Sequence, residues 1–243
     1  MKIACLYFTH KNSQCLFNLE TLINHINSYK EHQINIYIYN NNEELNNIIY
    51  HNNYCEFSFE NLQKKLNYIH KFDDHFTYIG NCQLPLIDLY INHPEYDRFI
   101  FYEDDVAYLG NENMFKLFDF NNDIIFSNTR CYNKDWCWYT NTSLHNLNLP
   151  PFSELLNIYS LQPDVIKSIY DFMLHGKFGH HEYLINSFIM ANYKSNNWSI
   201  AYLEGNNDFK VFYHDLNFTS TQFIHPIKNI KDLENYYKNI QLK

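Results

Sequence analysis

Alternating strand and helix patterns in the first half of the chain predict an α/β fold with a mainly parallel central sheet flanked by helices. Two observations carry this expectation. Short runs rich in Ile, Tyr and Phe recur between stretches whose apolar residues fall at helical spacing. One such run, Arg98-Phe-Ile-Phe-Tyr-Glu103-Asp104-Asp105-Val106, passes directly into three consecutive acids.

Residues 2–8 read as a first strand ending at Thr9, and Leu16, Leu19, Ile23 and Ile26 then mark one face of a helix. Residues 34–39 alternate as a strand and stop at the turn residues 40–42. Phe59, Leu62, Leu66 and Ile69 predict another amphipathic helix, and residues 76–79 a short strand closed by Gly80 and Asn81. A helix over 84–90 ends at Asn92, His93 and Pro94, and the strand that carries the acids follows. Residues 123–126 read as a further buried strand. The pattern is irregular over 130–160, helical over 163–174 and 181–192, and strand-like over 200–203 and 210–213. Neither a linker rich in Pro or Gly nor an internal repeat divides the chain, so one domain over 1–243 is expected.

Composition excludes several classes. A net charge of −9 does not suit general nucleic-acid binding, which needs a basic surface, nor a polybasic membrane anchor. No apolar run is long enough for a transmembrane segment, and the N-terminus reads as a strand rather than a signal peptide. Six cysteines without CxxC spacing suggest reduced thiols in a cytoplasmic protein, at most peripheral to a membrane. The aromatic share of 19% fits sugar-stacking sites and large cores equally.

The acids are the strongest chemical signal. An isolated Glu-Asp-Asp is commonly a solvated turn. Behind an apolar strand, however, three adjacent carboxylates belong at the strand's carboxyl end, because burying them unpaired costs several kcal/mol or more. That end is where ligands bind in such sheets, and Thr9, Asn40 and Asp105 would all approach it. Hard oxygen donors there suit Mg²⁺ or Mn²⁺.

With these residues in place the chain resembles GT-A-fold glycosyltransferases, in the compact form that carries Glu-Asp-Asp as a variant of the DxD motif. The likeness rests on a Rossmann-like first half, the acids after the fourth predicted strand and a late His225-Pro-Ile-Lys228. It implies a nucleotide-sugar half over 1–110 and an acceptor half over 111–243. It also implies a sugar nucleotide donor such as a UDP-sugar, a glycan or other hydroxyl acceptor, and Mn²⁺ or Mg²⁺ as the metal. By this resemblance Asp105 and His225 are the metal ligands, with His214 as the rival imidazole. Glu103 faces the ribose or the diphosphate, and Lys228 approaches a phosphate oxygen. Thr9, Asn40 and Gln83 touch the nucleotide, with Tyr7 or Tyr39 stacking on its base. Glu182, in Gly179-His180-His181-Glu182-Tyr183, takes the place of a carboxylate that deprotonates the acceptor in an inverting enzyme. The competing reading of Glu182 is helix capping, and that of Lys228 a solvated lysine.

Asp135, Trp136 and Trp138 fall where this fold builds its acceptor site. A metal-dependent phosphohydrolase would need further carboxylates at other strand ends, where Thr9, Asn40 and Gly80 stand instead. A non-catalytic glycan-binding protein on a transferase fold is the remaining alternative.

Overall fold

β1 (Lys2–Thr9) is buried at every position but Lys2, which requires covering layers on both of its faces. The computed structural model describes residues 1–9, 16–40, 83–108, 117–126, 130–131, 149–150, 152–153, 156–177, 179–203, 223–224 and 231. Parallel neighbours flank β1: β2 (Gln33–Asn40) on one side and β3 (Arg98–Glu103) on the other. With β5 (Ile124–Phe126), β8 (Ile158–Leu161) and β9 (Ile200–Tyr202) they form a six-stranded sheet in the order β2-β1-β3-β8-β5-β9. Only β8 runs against the rest, pairing antiparallel with both β3 and β5, so the protein has the mixed α/β, mainly parallel architecture expected.

Four helices among the described residues cover the sheet. α1 (Leu16–Ser28) places Leu19, Leu22 and Ile26 against Ile3, Cys5, Tyr7, Ile100 and Tyr102. On the other face, α2 (Gln83–Asn92), α3 (Pro163–Leu174) and α4 (His181–Asn192) pack with Ala4, Leu6, Phe8, Phe99 and Phe101. Adjacent strand residues thus alternate between two cores, as the two-residue strand period demands. Each fully buried Phe or Leu in these layers contributes about 1.5–3 kcal/mol. Cys5 is buried in β1, and desolvation pushes its thiol up to about 12, so it is an inert core residue.

Sequence signals account for the helix ends. Pro163 opens α3 at its first turn, where a missing N–H costs nothing, and Asp164 adds a carboxylate to that turn. Gly176, at φ 73°, accepts the left-handed conformation that ends the helix while its N–H bonds to Met173 at 2.9 Å. α4 is different: every residue from His181 to Ile189 is buried, so over that stretch it is enclosed on all sides rather than amphipathic.

Two elements depart from expectation. Residues 130–160 are not uniformly irregular, because β8 lies there in the middle of the sheet, and β6 (Arg130–Cys131) pairs with β7 (Phe152–Ser153). In α1 it is Leu22 that is fully buried while Ile23 is only partly covered, a small rotation of the predicted face. The helix expected over 59–69 and the strands expected over 76–79 and 210–213 lie outside the described residues. No helix of the described residues is long and apolar enough to cross a membrane.

Arg98 anchors the amino end of β3. Its guanidinium is fully buried, donates to Ser160 Oγ at 2.9 Å and to the Asn122 carbonyl, and lies 5.1 Å from the Phe120 ring centroid. Ser160 Oγ in turn donates to the Leu117 carbonyl at 2.9 Å. Burial draws the Arg98 pKa down to about 10, opposed by Asp119 and Asp123, so it stays charged at neutral pH. Five strand steps of about 3.3 Å separate it from the acids, too far for it to serve them.

Candidate functional site

The acids sit where β3 ends. Its interior is buried, and Glu103, paired beside Phe8 of β1, closes it. The Val106 N–H bonds to the Glu103 carbonyl at 3.2 Å, making residues 103–106 a tight turn. Neighbouring strands hold this turn on both sides. The Glu103 N–H bonds to the Asn157 carbonyl at 2.9 Å, and the Asp104 N–H to the Phe8 carbonyl at 3.0 Å. From below, the stacked rings of Tyr7 and Tyr102 send their hydroxyls to the carbonyls of Asp104 at 3.4 Å and Val106 at 3.1 Å.

Within the turn the side chains have different surroundings. Asp104 is 1% exposed and accepts a 2.7 Å hydrogen bond from Thr9 Oγ1, the turned-in structural role that strand alternation suggests. Asp105 is buried as well. Glu103 keeps some solvent contact, yet protein atoms crowd its carboxylate, and Asn157 Nδ2 donates to its Oε2. Burial first, then the charge of Asp105, then Glu182 and Asp104, push the Glu103 pKa well above the usual carboxylate range; the Asn157 amide opposes them.

The charge of Glu182 thus acts on the acidic turn. It occupies the first turn of α4, which starts where the N–H groups of Tyr183 and Leu184 bond to the His180 carbonyl at 3.1 and 2.8 Å. Asn186 Nδ2 donates to the Glu182 carbonyl, and Ser187 Oγ donates to the Phe152 carbonyl at 2.8 Å, tying α4 to β7. The rings of His180 and His181 stack at 4.8 Å. His180 Nδ1 lies 3.8 Å from Glu182 Oε2, beyond hydrogen-bond range. Burial lowers His180 to about 4, so it is neutral at pH 7 and forms no ion pair with Glu182.

Of the residues singled out in the sequence, Glu103, Asp105 and Glu182 therefore share one neighbourhood. Thr9 and Asn40 stand opposite each other at the ends of β1 and β2 on the same sheet edge, and Thr9 gives its hydroxyl to Asp104. Gln83 opens α2 and is 1% exposed. Tyr7 and Tyr39 do not stand open for base stacking: both are core residues, packed on Tyr102 and Phe8. Lys228, His214, His225, Asp135, Trp136 and Trp138 lie outside the described residues. The strand just before His225 is described: β10 (Phe223–Ile224) pairs antiparallel with β4 (Ala107–Tyr108), setting Ile224 against Ala107, two residues beyond Asp105. Asn157 gave no signal in the sequence, being one Asn in an Asn-rich chain ahead of an unpredicted strand.

The donors present fit part of a site for a hard divalent cation: they are carboxylates whose charges add to burial in raising the Glu103 pKa, a crowding that a cation would relieve. Among the described residues no group of three or more His, Cys, Asp or Glu side chains forms a complete metal-holding set.

No protein-family model matches the chain, and no curated protein matches it in sequence. Among solved structures it is similar to mouse xyloside xylosyltransferase 1 in its apo form, with a TM-score of 0.48 and 12% identity over 93% of this chain and 97% of that one. It is also similar to a glycosyltransferase involved in the glycosylation of the major capsid of PBCV-1, with a TM-score of 0.45 and 9% identity over 96% and 98% of the two chains. Both neighbours are glycosyltransferases by name, but likeness this loose is no guide to chemistry.

Proposed function

We propose that the chain is a metal-dependent glycosyltransferase of the GT-A type, acting as one domain that moves a sugar from a UDP-sugar to a hydroxyl of a glycan or similar acceptor. The observation that supports it most is that the charge of Glu182, buried on α4, acts on Glu103 in the acidic turn at the carboxyl edge of the sheet. A lone solvated turn would not need a buried carboxylate from a distant helix beside it.

In this reading Asp105 and His225 hold Mn²⁺ or Mg²⁺, which when bound offsets negative charge on the departing diphosphate. Glu103, Asn40, Gln83 and Lys228 bind the donor, and Thr9 acts through Asp104. In an inverting reaction Glu182 takes the acceptor's hydroxyl proton while the acceptor oxygen bonds to the anomeric carbon. The bond from that carbon to the phosphate oxygen breaks, and its electron pair leaves with UDP. A retaining reaction would not use Glu182 in this way.

Calorimetric titration with UDP, with and without Mn²⁺, tests the reading. Binding that requires Mn²⁺ and is lost in Asp105→Ala is expected. Absence of nucleotide binding under both conditions would refute it, and glycan binding without nucleotide would favour the non-catalytic alternative. Glu182→Gln should lower kcat by at least about a hundredfold while UDP still binds, as expected for loss of a general base.

A further inference from the structure

Asn157 meets Glu103 twice, and the pair joins strands that run in opposite directions. Glu103 closes β3, whereas Asn157 stands immediately before β8. Because β8 is antiparallel, its beginning lies at the edge where the parallel strands finish. The Glu103 N–H bonds to the Asn157 carbonyl at 2.9 Å, and the Asn157 side-chain amide donates to Glu103 Oε2.

The two bonds do different things. The backbone bond continues the β3–β8 ladder and would form with almost any residue at 157. The side-chain bond adds nothing to the sheet and acts only on the carboxylate. An amide is well suited there: it supplies a donor to an acceptor-only group without adding charge beside Glu103, Asp104, Asp105 and Glu182. An Asp at 157 would keep the size of the side chain and reverse its effect.

We propose that Asn157 is a positioning residue for the acidic turn, its side-chain amide fixing the Glu103 carboxylate in the orientation that receives the nucleotide. The role rests on the transferase reading above. It makes the start of β8 part of the binding site, although nothing in the 130–160 pattern marks it.

The test compares wild type, Asn157→Ala and Asn157→Asp in calorimetric titrations with UDP and Mn²⁺, alongside urea denaturation of each protein. Asn157→Ala should weaken binding about 10- to 100-fold, as loss of an orienting partner commonly does. Asn157→Asp, nearly the same shape, should weaken it further. In a Glu103→Gln background the Asn157→Ala change should have much less effect on binding. Should Asn157→Asp fail to fold, Asn157→Ser takes its place and should weaken binding as Asn157→Ala does.

A merely structural Asn157 would lower the urea midpoint of the variants but leave the UDP affinity of the folded fraction unchanged, and that result overturns the proposal. Wild-type protein that binds no UDP overturns the transferase reading, and this role with it. Wild-type binding that the Asn157 variants leave intact overturns this role alone.

Discussion

Thr9 Oγ1 donates a 2.7 Å hydrogen bond to Asp104 Oδ2, joining the last residue of β1 to the turn that follows β3. The bond spans 95 positions of sequence and lies in the interior, so it forms only once the two parallel strands are in register. It also gives the middle acid of the turn a partner that carries no charge of its own.

Replacing Thr9 by Val keeps the β-branched shape and deletes the donor. The change should cost about 1.5–3 kcal/mol of stability, the range for hydrogen bonds to charged groups. Thr9→Ser should retain most of it. Urea denaturation at neutral pH measures both.

Glu103 makes a second prediction, in the pH dependence of stability measured without added metal. Its pKa is raised in the folded state, so the folded protein holds this proton more tightly than the unfolded chain. The associated stability is fully present below the unfolded value of about 4.3 and is lost as pH rises through the folded value. Glu103→Gln should flatten that part of the profile and raise stability at neutral pH. Denaturation midpoints across a pH series provide the measurement.

His180 predicts the opposite slope. Its pKa is depressed to about 4 by burial, below the ordinary value of about 6.5. Between those values the unfolded chain binds the proton and the folded protein resists it, so stability falls as pH drops through that window. The loss should be on the order of 3 kcal/mol at its fullest. His180→Asn should remove the slope without altering that of Glu103, which the same pH series would reveal.

Arg98 and Ser160 allow stability to be separated from binding. Ser160→Ala removes one partner of a buried guanidinium and should destabilise by about 1–3 kcal/mol. Because this cluster stands at the opposite end of β3 from the acids, the proposed binding of UDP and Mn²⁺ should be the same in the folded variant as in wild type. Urea denaturation and calorimetry on one preparation measure the two effects.

The parts legible in the sequence were those with a strong local signature. The apolar runs of β1 and β3 could only be buried strands, and the helical pattern that begins at Pro163 marked α3. The carboxyl-edge location of the acids followed from their charge together with the apolar strand that precedes them. β8 was not legible: it is four residues long, Ser160 interrupts its apolar character, and its direction depends on tertiary pairing. Asn157 was missed with it. The tyrosines at positions 7 and 39 misled because an aromatic near a strand end looks the same whether it packs on a neighbour or awaits a ligand. Nor did the run after Glu182 betray that protein would surround α4 from His181 to Ile189.

The enclosure of α4 limits how this molecule can change. A helix hemmed in over His181 to Ile189 has no slack to slide or tilt when a neighbouring side chain is altered. Glu182 therefore stands on a fixed pillar, and engineering of this protein should graft diversity onto surface segments while leaving that pillar untouched.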